Sequence, residues 1–136
     1  YQLYDCSRKA VLLKGELNFL TNYLALEQLY SKRIWYSVAA EGEVYRTFVP
    51  PLLFIPFVQQ VVVHVYGQDT FTAIDLQFRV ENSRIHFVCS FDNGNLPDQN
   101  DFSSIKQRLE LLYGDNYSLS ISKRVIILKL NMLNYE

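Results

Sequence analysis

Cysteine and histidine are scarce in this 136-residue chain, which contains two residues of each. Two cysteines, Cys6 and Cys89, cannot build a disulfide framework, and they lack the spacing of a metal site. We therefore expect a protein of a reducing compartment, with the cytoplasm as the default. Nucleophilic catalysis requires a histidine base beside a serine or cysteine, and only His64 and His86 are available for that role.

The chain also lacks an excess of charge of either sign. Thirteen Lys and Arg residues stand against 14 Asp and Glu residues, so the net charge of -1 provides no basic field for nucleic acid. The longest apolar stretch, residues 49–58, contains three prolines and is well short of the roughly 20 residues that span a bilayer. Neither a Walker loop nor a GxGxxG motif occurs. We expect no nucleic acid partner and no direct membrane contact by this chain.

What the chain has is enough apolar material for one folded core. Hydrophobic residues make up 49% of it, aromatic residues 15% and charged residues 20%, a balance that argues against disorder. A length of 136 residues is that of a single domain. The first residue is Tyr1 rather than methionine, and no signal-peptide pattern follows it, so we expect a piece of a longer protein.

The first segment with helical spacing, residues 13–30, carries two apolar stripes on different sides. The stripes are Leu13, Leu17, Leu20 and Leu24 on one side, and Phe19, Tyr23, Leu26 and Tyr30 on the other. One stripe is expected to cover the sheet. The other either contacts a partner, which is a neighbouring domain or a second subunit, or is enclosed in the core.

Two further helices are predicted. Residues 50–66 begin with two prolines, which suit a first helical turn, and end at Gly67. Pro56 lies inside this pattern and removes a helical hydrogen bond, so we expect a kink or a late start of the helix. The last helix follows a polar loop at residues 95–101 and ends at Gly114.

Strands are predicted where apolar and polar residues alternate. They are residues 34–40, 74–81, 85–91, 117–121 and 126–130. The last four pair as two antiparallel hairpins, the first of them around an Asn82-Ser83 turn. Because the strands are apolar on one face only, we expect an α/β (α+β) two-layer sandwich, with a mostly antiparallel sheet and helices on one face.

Candidate functional residues lie at two places in this pattern. Gln60 and His64 are four residues apart and therefore share one face of the apolar second helix. Asp92, with Asn93 and Gly94, follows a strand, where ligands often meet polar groups. Each place also has a plainer interpretation, a hydrogen-bonded core histidine and an ordinary turn. The residue types alone thus predict a cleft between the Gln60/His64 stripe and the Asp92 loop.

Several segments, in this order, resemble those of LytS-type sensor histidine kinases. LKGELNFLTNYLALEQLYSKR, residues 13–33, resembles the helix after that family's phosphoacceptor region. VPPLLFIPFVQQVVVHVYG, residues 49–67, is similar to its N-box, usually close to IPPLLLQPLVENAIKHG. Asp92-Asn93-Gly94 resembles the start of a DNGxG box, and IKQRLELLYG, residues 105–114, resembles the helix after the ATP lid.

The resemblance implies a Bergerat-type ATPase fold with a mixed sheet at residues 13–136, and the tail of an upstream dimerisation and phosphoacceptor helix at residues 1–12. It implies ATP and Mg²⁺ as ligands, Asp92 on the adenine amino group, and Gly94 and His64 in the nucleotide site. It also implies a homodimer formed through upstream helices, a response regulator as partner, and a cytoplasmic domain of a protein in the bacterial inner membrane.

The chain departs from the family where phosphate chemistry is performed. Gln59 stands at the acid/base Glu and cannot accept a proton at neutral pH, and Gln60 stands at the metal-binding Asn. The lid glycines are replaced by Gln99 and Asp101, although a glycine lets backbone N–H groups approach phosphate. We therefore expect a degenerate domain, a pseudokinase that serves as a scaffold.

Two other functions remain open on the sequence. One is a working kinase domain in which Gln60 holds Mg²⁺ through its side-chain oxygen, since phosphoryl transfer depends mostly on positioning and charge neutralisation. The other is an interaction module without a ligand in the cleft, which would be supported if Val61, Val63 and Phe91 fill the nucleotide pocket.

Overall fold

The computed structural model describes residues 10–66, 70–94, 96 and 102–132. Its helices are α1 (Leu13–Tyr30), α2 (Ile55–Tyr66) and α3 (Ser103–Tyr113). Its strands are β1 (Val11–Leu12), β2 (Ile34–Gly42), β3 (Phe48–Val49), β4 (Thr72–Glu81), β5 (Arg84–Phe91), β6 (Tyr117–Ile121) and β7 (Val125–Asn131). A short 3-10 turn occupies Val44–Arg46. Within the described ranges, no helix is both long and apolar enough to span a membrane.

Five strands form the main sheet in the order β2-β4-β5-β7-β6. β2 and β4 run parallel, with Ile34 opposite Thr72, and the other three pairs are antiparallel. The sheet is therefore mixed and mostly antiparallel, and it confirms the predicted fold class. The parallel pair exists because the chain crosses the sheet through α2 between β2 and β4, a connection that antiparallel hairpins do not need.

The helices cover one face of this sheet. The inward side chains of β4 alternate with exposed ones, as the spacing predicts, and they pack with those of β5 and β7. Aromatic rings fill the centre, where the Phe78 and Phe87 rings lie 4.8 Å apart and the Phe54 ring lies 5.0 Å from each of them. Phe57 and Phe102 extend the cluster towards α3.

Both predicted apolar stripes are present on α1, and they differ in burial. Leu13, Leu20 and Leu24 are fully buried against the sheet. Phe19 and Leu26 on the opposite side are about half exposed, and Tyr30 is more exposed still. The helix is therefore not enclosed in the core, and one apolar side faces outward.

α2 starts later than its two prolines suggest, as expected from Pro56. The helix begins at Ile55, so Pro56 lies in its first turn, where the missing N–H costs little. Leu52 has a positive φ of 58°, which prevents a helical start in the preceding residues. The predicted stop at Gly67 lies outside the described residues.

Both predicted hairpins are present. Asn82 and Ser83 connect β4 to β5 with φ values of 52° and 61°, the geometry of a two-residue hairpin turn that matches the twist of the strands. The chain before α1 is described only from residue 10. Val11 and Leu12 form β1, which pairs with β3. The assignment of residues 1–12 to an upstream helix stays a prediction.

Candidate functional site

The loop after β5 is fastened to the start of β4. The Asp92 carboxylate accepts a hydrogen bond from the Ala73 N–H through Oδ1, at 2.8 Å. The Asn93 side-chain amide donates to the Thr70 hydroxyl and to the Phe71 carbonyl. One carboxylate oxygen of Asp92 is thus held in a fixed position at the sheet end, and the residue is exposed.

The same loop is fastened on its other side to the β6–β7 turn. Arg124 donates through Nε to the Gly94 carbonyl at 2.9 Å, and the Leu96 N–H donates to the Lys123 carbonyl at 2.7 Å. Gly94 has a φ of 82°, a conformation that a residue with a side chain rarely adopts. Its conformation and its contact with Arg124 give Gly94 a structural role in addition to its predicted place in a nucleotide site.

The polar stripe of α2 faces this loop. The His64 ring lies 5.6 Å from the ring of Phe91, the residue immediately before Asp92. Gln60, one turn earlier, is half-buried on the same face, whereas Gln59 is exposed. The structure therefore places His64 beside the Asp92 loop, at the location where the sequence predicts a cleft, and it leaves Gln59 in contact with solvent.

Two buried polar atoms beside this loop have no hydrogen-bond partner among the described residues. They are His64 Nε2 and the hydroxyl oxygen of Thr72, whose side chain is fully buried. Thr72 directly precedes Ala73, to which Asp92 is bonded. Buried polar groups in native proteins are nearly always paired, so each atom is expected to have a partner, either among the residues that lie outside the described ranges or in a ligand.

Sequence reasoning missed Thr72. The sequence does hint at Thr72 through its position. It lies two residues before Ile74 and therefore points to the same buried side of the strand as Ile74, Leu76 and Phe78. A polar residue at an inward position of an alternating strand is uncommon. Its partnerless state depends on tertiary packing and is not encoded in the alternation.

Val63 does not fill the predicted pocket. Its side chain is 67% exposed, whereas Val61 and Phe91 are buried in the core. The burial of Val61 and Phe91 in the core does not by itself place them in a nucleotide pocket, so an interaction module without a ligand stays a prediction.

The start of α2 is held by two charged side chains from other helices. Glu16 of α1 accepts hydrogen bonds from the backbone N–H groups of Leu52 and Leu53. Arg108 of α3 donates to the Pro51 carbonyl at 2.7 Å and to the Leu52 carbonyl at 2.9 Å. These contacts fix the position of α2, and with it the direction of its polar stripe.

The remaining titratable groups favour binding over nucleophilic chemistry. Burial raises the pKa of the Cys89 thiol to about 12, with a smaller contribution from Asp75. This thiol stays protonated at neutral pH and is a poor nucleophile. His86, on the open face of the sheet, is half-buried next to Lys129 and Arg79 in the strand register.

The described residues offer Mg²⁺ few of its preferred ligands, which are carboxylate oxygens and water. Gln60 stands where the resemblance implies a metal-binding Asn, and it carries the same kind of amide oxygen on a side chain that is one methylene longer. Among the residues that the structure describes, no group of three or more His, Cys, Asp or Glu side chains is arranged to hold a metal. Gln99 and Asp101, the predicted lid replacements, lie outside the described ranges.

No protein-family model and no curated protein matches the chain. Several solved structures are similar to it. The catalytic domain of the histidine kinase ThkA is 12% identical, covers 90% of this chain and 94% of its own, and has a TM-score of 0.59. For the histidine kinase AdeS of Acinetobacter baumannii, the identity is 7%, the coverage 93% and 68%, and the TM-score 0.64.

Two larger structures also match. Full-length ShkA in complex with AMPPNP is 11% identical over 93% of this chain and 31% of that chain, with a TM-score of 0.64. ThkA in complex with the response regulator TrrA is 11% identical over 92% of this chain and 42% of that chain, with a TM-score of 0.59. The chain has the fold of histidine kinase catalytic domains.

Proposed function

We propose that this chain is the ATP-binding-type domain of a LytS-type sensor histidine kinase whose phosphoryl-transfer residues are degenerate, so that it binds nucleotide weakly or not at all. The observation that carries the proposal is a contrast within one site. Asp92 is fixed at the end of β5, whereas the acid/base and metal positions hold Gln59 and Gln60.

The residues proposed to contact the adenine base support descent from a nucleotide-binding domain. Asp92 uses Oδ1 for Ala73, which leaves Oδ2 for an amino group of a ligand. The orphan atoms of His64 and Thr72 lie at the same end of the sheet and need hydrogen-bond partners of their own. An adenine ring carries both donors and acceptors and suits such a set.

The phosphate end supports the loss of transfer. Phosphoryl transfer relies on metal ions and positioned donors that neutralise the charge developing on the phosphate oxygens. Gln59 is exposed and cannot act as a base at neutral pH, and Gln60 carries its amide oxygen one methylene farther from the backbone than the Asn that the resemblance implies at the metal position. The chain therefore keeps a kinase-like shape and serves as a scaffold within a signalling protein.

The whole protein belongs to this proposal as well. It is a homodimer joined by helices upstream of β1, with the residues before β1 as the tail of one of them, and it is attached to the bacterial inner membrane with this domain in the cytoplasm. Its partner is a response regulator, the class of protein bound to ThkA in the solved complex.

The test is a calorimetric titration of the chain with adenosine, ADP and a non-hydrolysable ATP analogue, each with and without Mg²⁺. We expect no strengthening of binding by Mg²⁺, because the metal position lacks a suitable ligand set. Asp92→Ala is compared with Asp115→Ala, an exposed aspartate after α3. Binding that tightens with Mg²⁺ and is lost only in Asp92→Ala would contradict degeneracy and establish a working site.

A working ATP-binding kinase domain is the second candidate function. The observation in its favour is that two buried polar atoms have no hydrogen-bond partner among the described residues. A bound nucleotide would supply such partners, and without one the two atoms only cost stability. In this case Thr72→Val weakens the binding of adenosine. If Thr72→Val instead stabilises the chain and adenosine does not bind, the second candidate fails.

A further inference from the structure

The outward side of α1 is an uncharged apolar surface, which we call the outer stripe. It consists of Leu12 and the α1 residues Gly15, Phe19, Asn22, Leu26, Leu29 and Tyr30. At about 100° per residue these positions share one side of the helix, roughly opposite the buried Leu13, Leu20 and Leu24. No charged residue lies within the stripe.

The outer stripe is large for an exposed surface. Leu29 is 74% exposed and Tyr30 84%, while Leu12, Phe19 and Leu26 are about half exposed. At about 200 Å² for a large side chain, the exposed part amounts to roughly 600 Å² along about 27 Å of helix. This is the upper end for a monomer surface, at roughly 300–600 Å², and approaches the roughly 800 Å² that each partner buries in a stable interface.

The two ends of the stripe have complementary shapes. A groove of about 600 Å³ lies at the amino-terminal end, lined by the apolar Leu12 and Phe48, by Gly15, and also by the charged Lys14 and Glu16. A Cβ atom built on Gly15 would meet nothing within 4 Å, so this position is open. Leu26, Leu29 and Tyr30 project as a ridge at the carboxyl-terminal end.

We propose that two copies of this chain associate through the outer stripe, with the two α1 helices antiparallel and the two-fold axis between Phe19 and Asn22. This arrangement places the Leu26 ridge of each copy in the Gly15 groove of the other. Residues 15 and 26 are equidistant from the axis, so one contact occurs twice, as a two-fold interface requires. A parallel pair would set ridge against ridge and leave both grooves unfilled.

The proposed interface contains none of the residues of the nucleotide-type site, although Tyr30 at its carboxyl-terminal end lies near Tyr66 of α2. The site lies at the α2 and β5 ends on the buried side of the sheet, whereas the outer stripe faces away from the sheet. The upstream helix predicted for the whole protein is the competing occupant of the outer stripe, and a chain that stays monomeric at every concentration would favour it.

Sedimentation equilibrium of this chain, from about 1 to about 100 µM, tests the association. We expect a reversible dimer, and we expect Leu26→Lys to raise its dissociation constant by at least about tenfold because it replaces an apolar contact of the interface with a charged side chain. The matched control is Leu111→Lys, at a residue of α3 that is 88% exposed. A monomer at every concentration, or equal effects of the two variants, would overturn the proposal. Circular dichroism checks that both variants are folded.

Disulfide trapping tests the orientation, in a Cys6→Ser background. Gly15→Cys and Leu26→Cys are prepared as two separate proteins and oxidised alone and as an equimolar mixture. The antiparallel arrangement predicts a cross-linked species in the mixture and little in either protein alone. Cross-linking of Leu26→Cys with itself indicates a parallel pair, and a dimer that does not cross-link in the mixture lacks the proposed register. Either result would overturn this arrangement.

Discussion

Glu16 is a carboxylate only 8% exposed, enclosed between α1 and the loop that precedes α2. Burial raises its pKa above the ordinary value, and the backbone N–H groups of Leu52 and Leu53, together with Arg108, offset part of that rise. A raised pKa means that the folded state binds the proton more tightly than the unfolded chain. This contribution to stability is fully present below the ordinary pKa and is lost as the pH rises through the folded-state pKa.

We therefore expect Glu16→Gln, which stays neutral, to gain stability relative to the unmodified chain as the pH rises from acid to neutral. Glu16→Ala removes the carboxylate that accepts from the Leu52 and Leu53 N–H groups and should cost about 1–3 kcal/mol. Urea denaturation at several pH values measures both effects, and Glu43→Gln is the control at an exposed carboxylate. A Glu16→Gln difference that is independent of pH would contradict this account.

At the residue scale, the sequence identifies some site members and not their surroundings. His64 and Asp92 stand out from their spacing, and the structure places His64 against Phe91, next to Asp92. The bond from Ala73 to Asp92 and the orphan hydroxyl of Thr72 depend on how two strands meet, which no local pattern encodes. Whether these residues bind nucleotide stays a prediction.

At the element scale, long periodic segments are predictable and irregular starts are not. The spacing predicts α1 at residues 13–30, which are its bounds in the structure. The exact start of α2 depends on Leu52, whose positive φ is stabilised by contacts from Glu16 and Arg108. Those residues are 36 positions before and 56 positions after it, so local propensity alone cannot locate the first residue of the helix.

The end of β2 depends on Gly42. Its φ is 90°, and a Cβ atom there would lie 1.9 Å from the carbonyl oxygen of Val80 on the neighbouring strand. We expect Gly42→Ala to destabilise the chain by at least about 2 kcal/mol, because a left-handed conformation and a backbone clash combine.

Gly15→Ala is the control for this substitution, since a Cβ atom at Gly15 meets nothing within 4 Å. In a helix interior it should stabilise the chain by roughly 0.5–1 kcal/mol. Thermal denaturation at low protein concentration, where self-association does not contribute, compares the two. A Gly42→Ala protein as stable as the unmodified chain would mean that β2 can move away from Val80 without cost.

At the scale of the whole molecule, the one-sided strands suffice to predict a two-layer sandwich, because a sheet with one apolar face must be covered on that face. The hydrophobic pattern does not specify the strand order. The parallel pairing of β2 with β4 follows from the crossover through α2, and the resemblance to a kinase family, rather than periodicity, supplies the expectation of a mixed sheet.

The paired strands of the sheet differ in how far apart they are in the sequence. The β4–β5 and β6–β7 hairpins pair neighbouring segments, whereas β2 joins β4 with Ile34 opposite Thr72, 38 residues away, and lies at the sheet edge. Closing such a long loop is entropically more costly than forming a hairpin. We therefore expect native-state hydrogen exchange to be faster for β2 amides than for β4 and β5 amides, and equal protection in all three strands would contradict this. β2 is then the first of these strands to open, while the two hairpins stay folded.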